Sequence, residues 1–311
     1  MGPWQLFSTA WKLPSEYQGN SREIPNSRPP TTAIISPRLS DLKSTAPCSL
    51  TRSARRLLGS PTGLEFRQLL PDTARLSVDE VLSAIASSSQ APPDRPRVLV
   101  NFISSVDGRA TFLGRSGALG DAGDRGLFHG LRERADAVIA GAQTMRVERY
   151  GRMLARPERR ERRLARGRSA EPLACVVSRT GAVPLDIPLF AEPEARVIVF
   201  CGVDLELDGV AAQVELVRLS REELTLTSVL ERLRTSFGVS LLLCEGGPTL
   251  FSGLLHEGLV DELLLTLAPK LAGGGPAPAI TTGGELAALA PLEPLWVLER
   301  AGSLFLRYAV G

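Results

Sequence analysis

Apolar positions along this chain alternate between two textures. Short continuous runs read as buried strands, and stretches with apolar residues every three or four positions read as helices. From Arg97, the run Val98-Leu99-Val100-Asn101-Phe102-Ile103 predicts a buried strand ending at Ser104-Ser105-Val106-Asp107-Gly108, where Asp-Gly marks a turn. Leu127, Phe128 and Leu131 predict a helix over 121–134, and a strand follows over 136–140. Further strands are expected at 172–178, 196–201 and 214–219. Leu224, Leu226, Val229, Leu230 and Leu233 share one face of a helix over 221–236. A strongly apolar strand at 239–244, a short helix at 248–256 and a strand at 259–268 come next. The segments 296–301 and 303–310 form a terminal hairpin turned at Gly302. Ahead of all this, Ser77 and Glu80 make a capping-box pattern that starts a short helix over 78–86, followed by a Ser- and Pro-rich linker to Arg95. Strands alternating with helices, closed by a hairpin, predict an α/β fold. Its central sheet is mostly parallel, with helices on both faces and an antiparallel C-terminal edge.

The first 63 residues do not share this patterning. They hold 8 Lys and Arg against 3 Asp and Glu, with 8 Pro and 16 Ser and Thr. Such a segment cannot bury enough surface to offset chain entropy, so disorder is expected. A transit peptide, a regulatory tail and a miscalled start near Leu64 all fit it, the last needing a non-ATG codon because no Met lies between Met1 and Met145. Three parts are therefore expected: a leader over 1–63, a short helix and linker over 64–96, and the main domain over 97–311.

Over the whole chain of 311 residues the net charge is only +2, so nothing in the overall field calls for nucleic acid. No apolar run reaches the roughly 18 residues of a membrane span. Cys48, Cys175, Cys201 and Cys244 stand far apart with no Cys-x-x-Cys, which argues against a zinc ribbon, a thioredoxin-type motif or a disulfide framework. Reduced thiols in a cytoplasm fit this usage. His129 and His256 are the only histidines, and both read as structural.

No G-x-G-x-x-G or Walker-type loop follows any predicted strand. Leu243-Cys244-Glu245-Gly246-Gly247-Pro248-Thr249-Leu250 instead runs an apolar strand into two glycines, with Pro at the first helical position. Glycines allow close backbone approach to an anion, and a helix N-terminus favours phosphate. Glu245 emerges from an apolar strand, where an idle charge is costly. A second glycine turn, Ile139-Ala140-Gly141-Ala142-Gln143-Thr144, also follows a strand. The pair suits the two halves of a dinucleotide.

Taken in order, Ser105-Val106-Asp107-Gly108, Leu131-Arg132, the strand and turn from Asp136 to Thr144, Glu245-Gly246-Gly247-Pro248-Thr249-Leu250, Gly258-Leu259-Val260-Asp261-Glu262-Leu263 and Ala268-Pro269-Lys270-Leu271 resemble the C-terminal reductase domain of bacterial riboflavin-biosynthesis proteins. The resemblance spans residues 97–309 and implies a dihydrofolate-reductase-like three-layer fold. It implies NADPH as reductant and 5-amino-6-(5-phosphoribosylamino)uracil as substrate, its ribosyl side chain reduced to ribityl. Homodimers are usual in the family. The zinc deaminase domain of bifunctional members needs H-x-E and P-C-x-x-C; the stretch before Arg97 has no His and one Cys. A stand-alone reductase without zinc is expected.

Carried over position by position, the resemblance puts the turn from Ser104 to Gly108 beside the nicotinamide. Thr144 and the backbone from Gly246 and Gly247 through Pro248, Thr249 and Leu250 would contact the cofactor. Ser178, with Arg179 after it, is a candidate for the 2′-phosphate. Ser116, Arg132, Glu245 and either Arg152 or Arg156 would meet substrate. Glu148 stands where the family usually has Asp, and Asn101 where many members have Lys. Reduction of the ring-opened imine needs hydride at the sugar C1 carbon and a proton at nitrogen. Glu148, Glu245 and Asp107 are the expected acids, in that order. The seven arginines of 156–168 read as a solvated face, and Gly273-Gly274-Gly275-Pro276 as a loop bordering the pocket. Two other functions stay open: reduction of another pterin- or pyrimidine-like heterocycle, and non-catalytic dinucleotide binding.

Overall fold

The computed structural model describes residues 63–87, 90–220 and 222–311. The leader over 1–63 therefore falls almost wholly outside the described residues. Among the described residues, eleven strands form one sheet, in the order β2-β1-β10-β11-β9-β3-β8-β4-β5-β6-β7. The strands are β1 (Glu65–Leu70), β2 (Ala74–Ser77), β3 (Arg97–Ser105), β4 (Ala137–Gly141), β5 (Leu173–Ser178), β6 (Arg196–Cys201), β7 (Gln213–Arg218), β8 (Leu241–Cys244), β9 (Glu262–Ala268), β10 (Leu292–Arg300) and β11 (Ser303–Val310). From β9 to β7 every pairing is parallel, and from β9 outward through β11, β10, β1 and β2 every pairing is antiparallel. This is the mostly parallel sheet with an antiparallel C-terminal edge that the alternation predicted.

Among the described residues, six α-helices flank the sheet: α1 (Val78–Ser87), α2 (Ala122–Arg134), α3 (Ala142–Glu148), α4 (Pro157–Ala165), α5 (Leu226–Thr235) and α6 (Pro248–His256). Successive residues of β3 point to opposite faces. Val98, Val100 and Phe102 pack with Val229, Leu230 and Leu233 of α5 and with Phe251 and Leu254 of α6. Leu99 packs in the opposite layer, with Leu82 and Ile85 of α1 and Leu127 and Leu131 of α2. Two apolar layers thus sandwich one sheet, which is why the central strands read as continuous apolar runs rather than alternating ones.

Two sequence expectations need correction. The stretch 64–96 carries more than a helix and a linker. β1 pairs with β10, and Phe66 of β1 meets Phe305 of β11 edge-on at 5.0 Å. The capping box does form ahead of α1: Ser77 N donates to Glu80 Oε2 at 2.7 Å and Glu80 N to Ser77 Oγ at 3.3 Å. It sits directly at the end of β2. These strands were illegible because β2 is a four-residue edge strand and β1 beside it, beginning Glu65-Phe66-Arg67-Gln68, has a single buried apolar residue.

The second correction concerns the arginines of 156–168. Four of them lie in α4, and Arg159, Arg162, Arg163 and Arg166 converge on the Glu133 carboxylate or its carbonyl. Glu133 is 3% exposed and its carboxylate accepts from Arg159, Arg162 and Arg166 at 2.7–2.8 Å. Arg163 is 1% exposed and donates to the Glu133, Ala135 and Ser169 carbonyls. Burial alone would raise the Glu133 carboxyl, but the arginines outweigh it and hold the group down at about 2. A second buried cluster, Arg97 and Arg307 on Glu262, ties β3, β9 and β11 together. No helix among the described residues is long and apolar enough to cross a membrane.

Candidate active site

β8 lies between β3 and β4, and the carboxyl ends of all three strands open on one cavity of about 510 Å³. That is the expected place for a ligand in an open parallel sheet, and its size is that of a small-molecule pocket. The two glycine turns that looked separate in sequence are joined here. Gly141 N donates to Gly246 O at 2.9 Å, and Glu245 N to Ile139 O at 3.0 Å.

Each glycine of Gly246-Gly247 has its own reason. Gly246 has φ +92°, and a Cβ there would stand 2.9 Å from the Phe102 ring. A Cβ on Gly247 would stand 2.4 Å from Thr144 Oγ1. The peptide between them is cis. Gly247 caps α6 with no side chain of its own, so no cap side chain claims the first-turn N–H groups of this helix, which are left for an anion. This cradle fits the phosphates of a dinucleotide.

Arg132, near the end of α2, reaches across to the end of β8. Its Nε donates to Glu245 Oε1 at 2.6 Å and its second terminal nitrogen to Glu245 Oε2 at 2.7 Å. The Tyr150 hydroxyl donates to the same Oε2 at 2.7 Å. The guanidinium also lies over the Phe128 and Tyr150 rings, at 4.4 and 5.1 Å. Burial alone would lower the Arg132 pKa, but the adjacent carboxylate holds it above its ordinary value. Burial, and then Glu245, raise the Tyr150 phenol well above its ordinary value. Both oxygens of Glu245 are thus occupied, by the two arms of Arg132 and by the Tyr150 hydroxyl. The same two arms explain why the charge costs little in an apolar strand end.

On the opposite wall, Glu148 closes α3. Its Oε1 accepts from both the Ser116 N and Oγ at 2.8 Å. The cavity therefore brings together Ser116, Arg132, Thr144, Glu148, Glu245, Gly247 and Pro248 of the expected residues. Asn101, in place of the family's lysine, also lines it.

Several expected residues are placed elsewhere. Asp107 does not line the cavity. Its carboxylate accepts from Ser105 Oγ at 2.5 Å and from the Ala272 and Gly273 N–H groups at 3.0 and 2.7 Å. Those donors, Ser105 first, hold it down at about 2, the wrong state for an acid. It is a turn anchor that brings the loop from Ala272 up to Pro278, and Pro278 does border the pocket. Arg152 is taken by Glu171 and Glu194, away from the cavity. Arg156 is the N-cap of α4. Ser104 Oγ is turned onto the Ser105 carbonyl at 2.9 Å. Ser178 ends β5 buried, with Arg179 exposed beyond it. Gly246, Thr249 and Leu250 stand behind the lining, with Thr249 Oγ1 3.2 Å from Thr282 Oγ1.

Sequence reasoning missed Tyr150, Phe128, Arg149, Thr111 and Asp124, all on the cavity wall. Tyr150 follows a left-handed Arg149 that stops α3, and nothing local in the sequence marks it. Asp124 lies in the first turn of α2, where an acid usually serves the helix itself. Among the described residues, no group of three or more His, Cys, Asp and Glu side chains is placed to hold a metal ion.

Comparison with known proteins identifies the family of the fold. The RibD C-terminal domain family matches residues 96–300. A protein of Archaeoglobus fulgidus named 2,5-diamino-6-ribosylamino-4(3H)-pyrimidinone 5′-phosphate reductase is 29% identical over 215 residues, covering 68% of this chain and 96% of the relative. A riboflavin biosynthesis protein RibD of Mycobacterium tuberculosis is 30% identical over 182 residues, covering 58% of this chain and 44% of that longer protein. Among solved structures, a pyrimidine reductase-like protein of Corynebacterium diphtheriae superposes with a TM-score of 0.61 at 25% identity, covering 74% of this chain and 98% of the other. With the matched segment running from the start of the parallel core to the end of β10, the chain belongs to the RibD C-terminal domain family of riboflavin-biosynthesis reductases.

Proposed function

We propose that this chain uses NADPH to reduce the ribosylamino side chain of 5-amino-6-(5-phosphoribosylamino)uracil to the ribitylamino form. The observation that carries the reading is the meeting of the two linked glycine turns with the Arg132–Glu245 pair at the ends of β3, β4 and β8. A bound nicotinamide supplies hydride to the imine carbon of the opened sugar. The chain's own part is to hold the two reacting carbons together and to exclude water. The α6 N-terminus, with Gly247 and Thr144 packed against each other, receives the cofactor phosphates. Exposed Arg179, just past β5, supports NADPH over NADH because its cation suits a 2′-phosphate. Arg132 and Ser116 face the phosphorylated substrate across the cavity.

Relatives from Archaeoglobus fulgidus, Methanothermobacter thermautotrophicus and Aquifex aeolicus carry the 2,5-diaminopyrimidinone in their names, whereas other, longer relatives are named RibD. The two substrates differ at one ring position. NADPH oxidation with each, followed by the mass of the product, tests the proposal. A gain of two hydrogens with the uracil is the expected result. Turnover of the diamino compound alone would keep the reaction and replace the substrate.

A further inference from the structure

The cavity has a carboxyl that neither the glycine turns nor the Arg132–Glu245 pair uses. Asp124 lies in the first turn of α2 and lines the wall near Asn101 and Ile103 of β3. Its Oδ2 sits over Gly120, 2.5 Å from where a Cβ would be, so the absent side chain at Gly120 makes room for the carboxyl. Below it is buried Thr266 on β9, paired across the sheet with Ile103.

Geometry separates Asp124 from the other acids of this region. Both oxygens of Glu245 are taken by Arg132 and Tyr150. Glu148 Oε1 is occupied by two bonds from Ser116, one from its N–H and one from its hydroxyl. Asp107 is turned to the 272–273 backbone. Asp124 takes a hydrogen bond from the Thr266 hydroxyl, and among the described residues no Arg or Lys forms an ion pair with it.

We infer that Asp124 is the catalytic acid of this pocket, handing its proton to the substrate nitrogen as hydride reaches the adjacent carbon. The inference rests on the proposed reduction. Hydride addition forms the new C–H bond, the C=N electron pair moves onto nitrogen, and that nitrogen takes the Asp124 proton. Water then reprotonates the carboxylate. Around Asp124 stand Asp121 at the start of the same helix, Arg125 on the next position, and Lys270 beyond β9. Lys270 is spent on the Ala118 and Leu119 carbonyls at 2.7 and 2.8 Å. Arg132, Glu148 and Glu245 face it across the cavity. Burial, then the neighbouring Asp121, outweigh Arg125, Lys270 and the Thr266 hydroxyl and raise the carboxyl above its ordinary value. Its acid form therefore persists to higher pH than an exposed aspartate's, and the proton is lost as pH rises through that raised value.

The test uses the full chain with Asp124→Asn and Thr266→Val. Asp124→Asn should lower kcat by roughly 100-fold or more, with a smaller change in KM, and remove the alkaline limb of the kcat profile. Thr266→Val deletes a donor that favours the ionised form, so it should move that limb to higher pH, which a merely structural role would not do. Carboxyl carbon NMR of the protein without substrate gives a readout independent of turnover. An Asp124 carboxyl titrating above an exposed aspartate supports the assignment, and one titrating with exposed aspartates overturns it. So does an Asp124→Asn enzyme with unchanged kcat and pH profile. A wild-type protein inert on both pyrimidines would refute the proposed reduction, and the catalytic role of Asp124 with it.

Discussion

Glu245 and Arg132, 113 residues apart in sequence, meet through two hydrogen bonds of 2.6 and 2.7 Å in the floor of the cavity. Tyr150 completes the carboxylate's shell, so the strand end of β8, helix α2 and the segment after α3 are fixed to one another at the site.

Removing one arm of this cluster should hurt in proportion to the charge left behind. Glu245→Gln strands a buried guanidinium, and a loss of about 3 kcal/mol in stability is expected, together with loss of turnover. Tyr150→Phe removes one charge-assisted bond and should cost about 1.5 kcal/mol while the fold persists. Thermal melts alongside kcat and KM check both. Equal effects of the two changes would contradict the bidentate account.

Gly247→Ala places a methyl group 2.4 Å from Thr144 Oγ1, inside the cradle. Dinucleotide affinity should fall by roughly tenfold or more, the equivalent of about 1.4 kcal/mol. Fluorescence titration with NADPH reads this directly, and an unaltered Kd would remove the cradle from the cofactor site.

Asp107→Asn separates a turn anchor from an acid. The Asp107 carboxyl is held at about 2, so its contribution is complete above the ordinary aspartate range and is lost only as pH falls toward that value. The variant should loosen the loop at Ala272 and Gly273, raise KM, and leave the neutral and alkaline pH profile of kcat unchanged. A displaced alkaline limb would restore Asp107 as an acid.

Glu133 sits under the arginines of α4 with its folded-state pKa depressed to about 2. The stabilisation is present above the unfolded glutamate pKa and disappears as pH falls through the folded value. Glu133→Gln should destabilise the chain by about 1–3 kcal/mol near neutrality and much less in acid. Urea melts at several pH values test the sign.

Strands β5 to β9 and helices α2 and α6 were legible because each is buried on both sides or carries one clear apolar stripe. Pro248–His256 and Ser303–Val310 fall where the pattern put them. β1 and β2 were not, since β2 is a short edge strand without a buried residue and β1 beside it buries only Phe66. In the site, Glu245 and the glycine turns were legible because charge and glycine are costly where they stand. Tyr150 and Asp124 were not, since their role depends on tertiary neighbours: Glu245 for one, Gly120 and Thr266 for the other. The arginines of α4 misled for the same reason, because composition does not reveal a single buried Glu133 beneath them.

The most direct measurement is NADPH consumption by the chain with 5-amino-6-(5-phosphoribosylamino)uracil, with product mass determined. The account predicts stoichiometric oxidation, a product two hydrogens heavier, and loss of turnover in Glu245→Gln. A folded protein that binds NADPH yet leaves both this compound and its 2,5-diamino counterpart unreduced would contradict it.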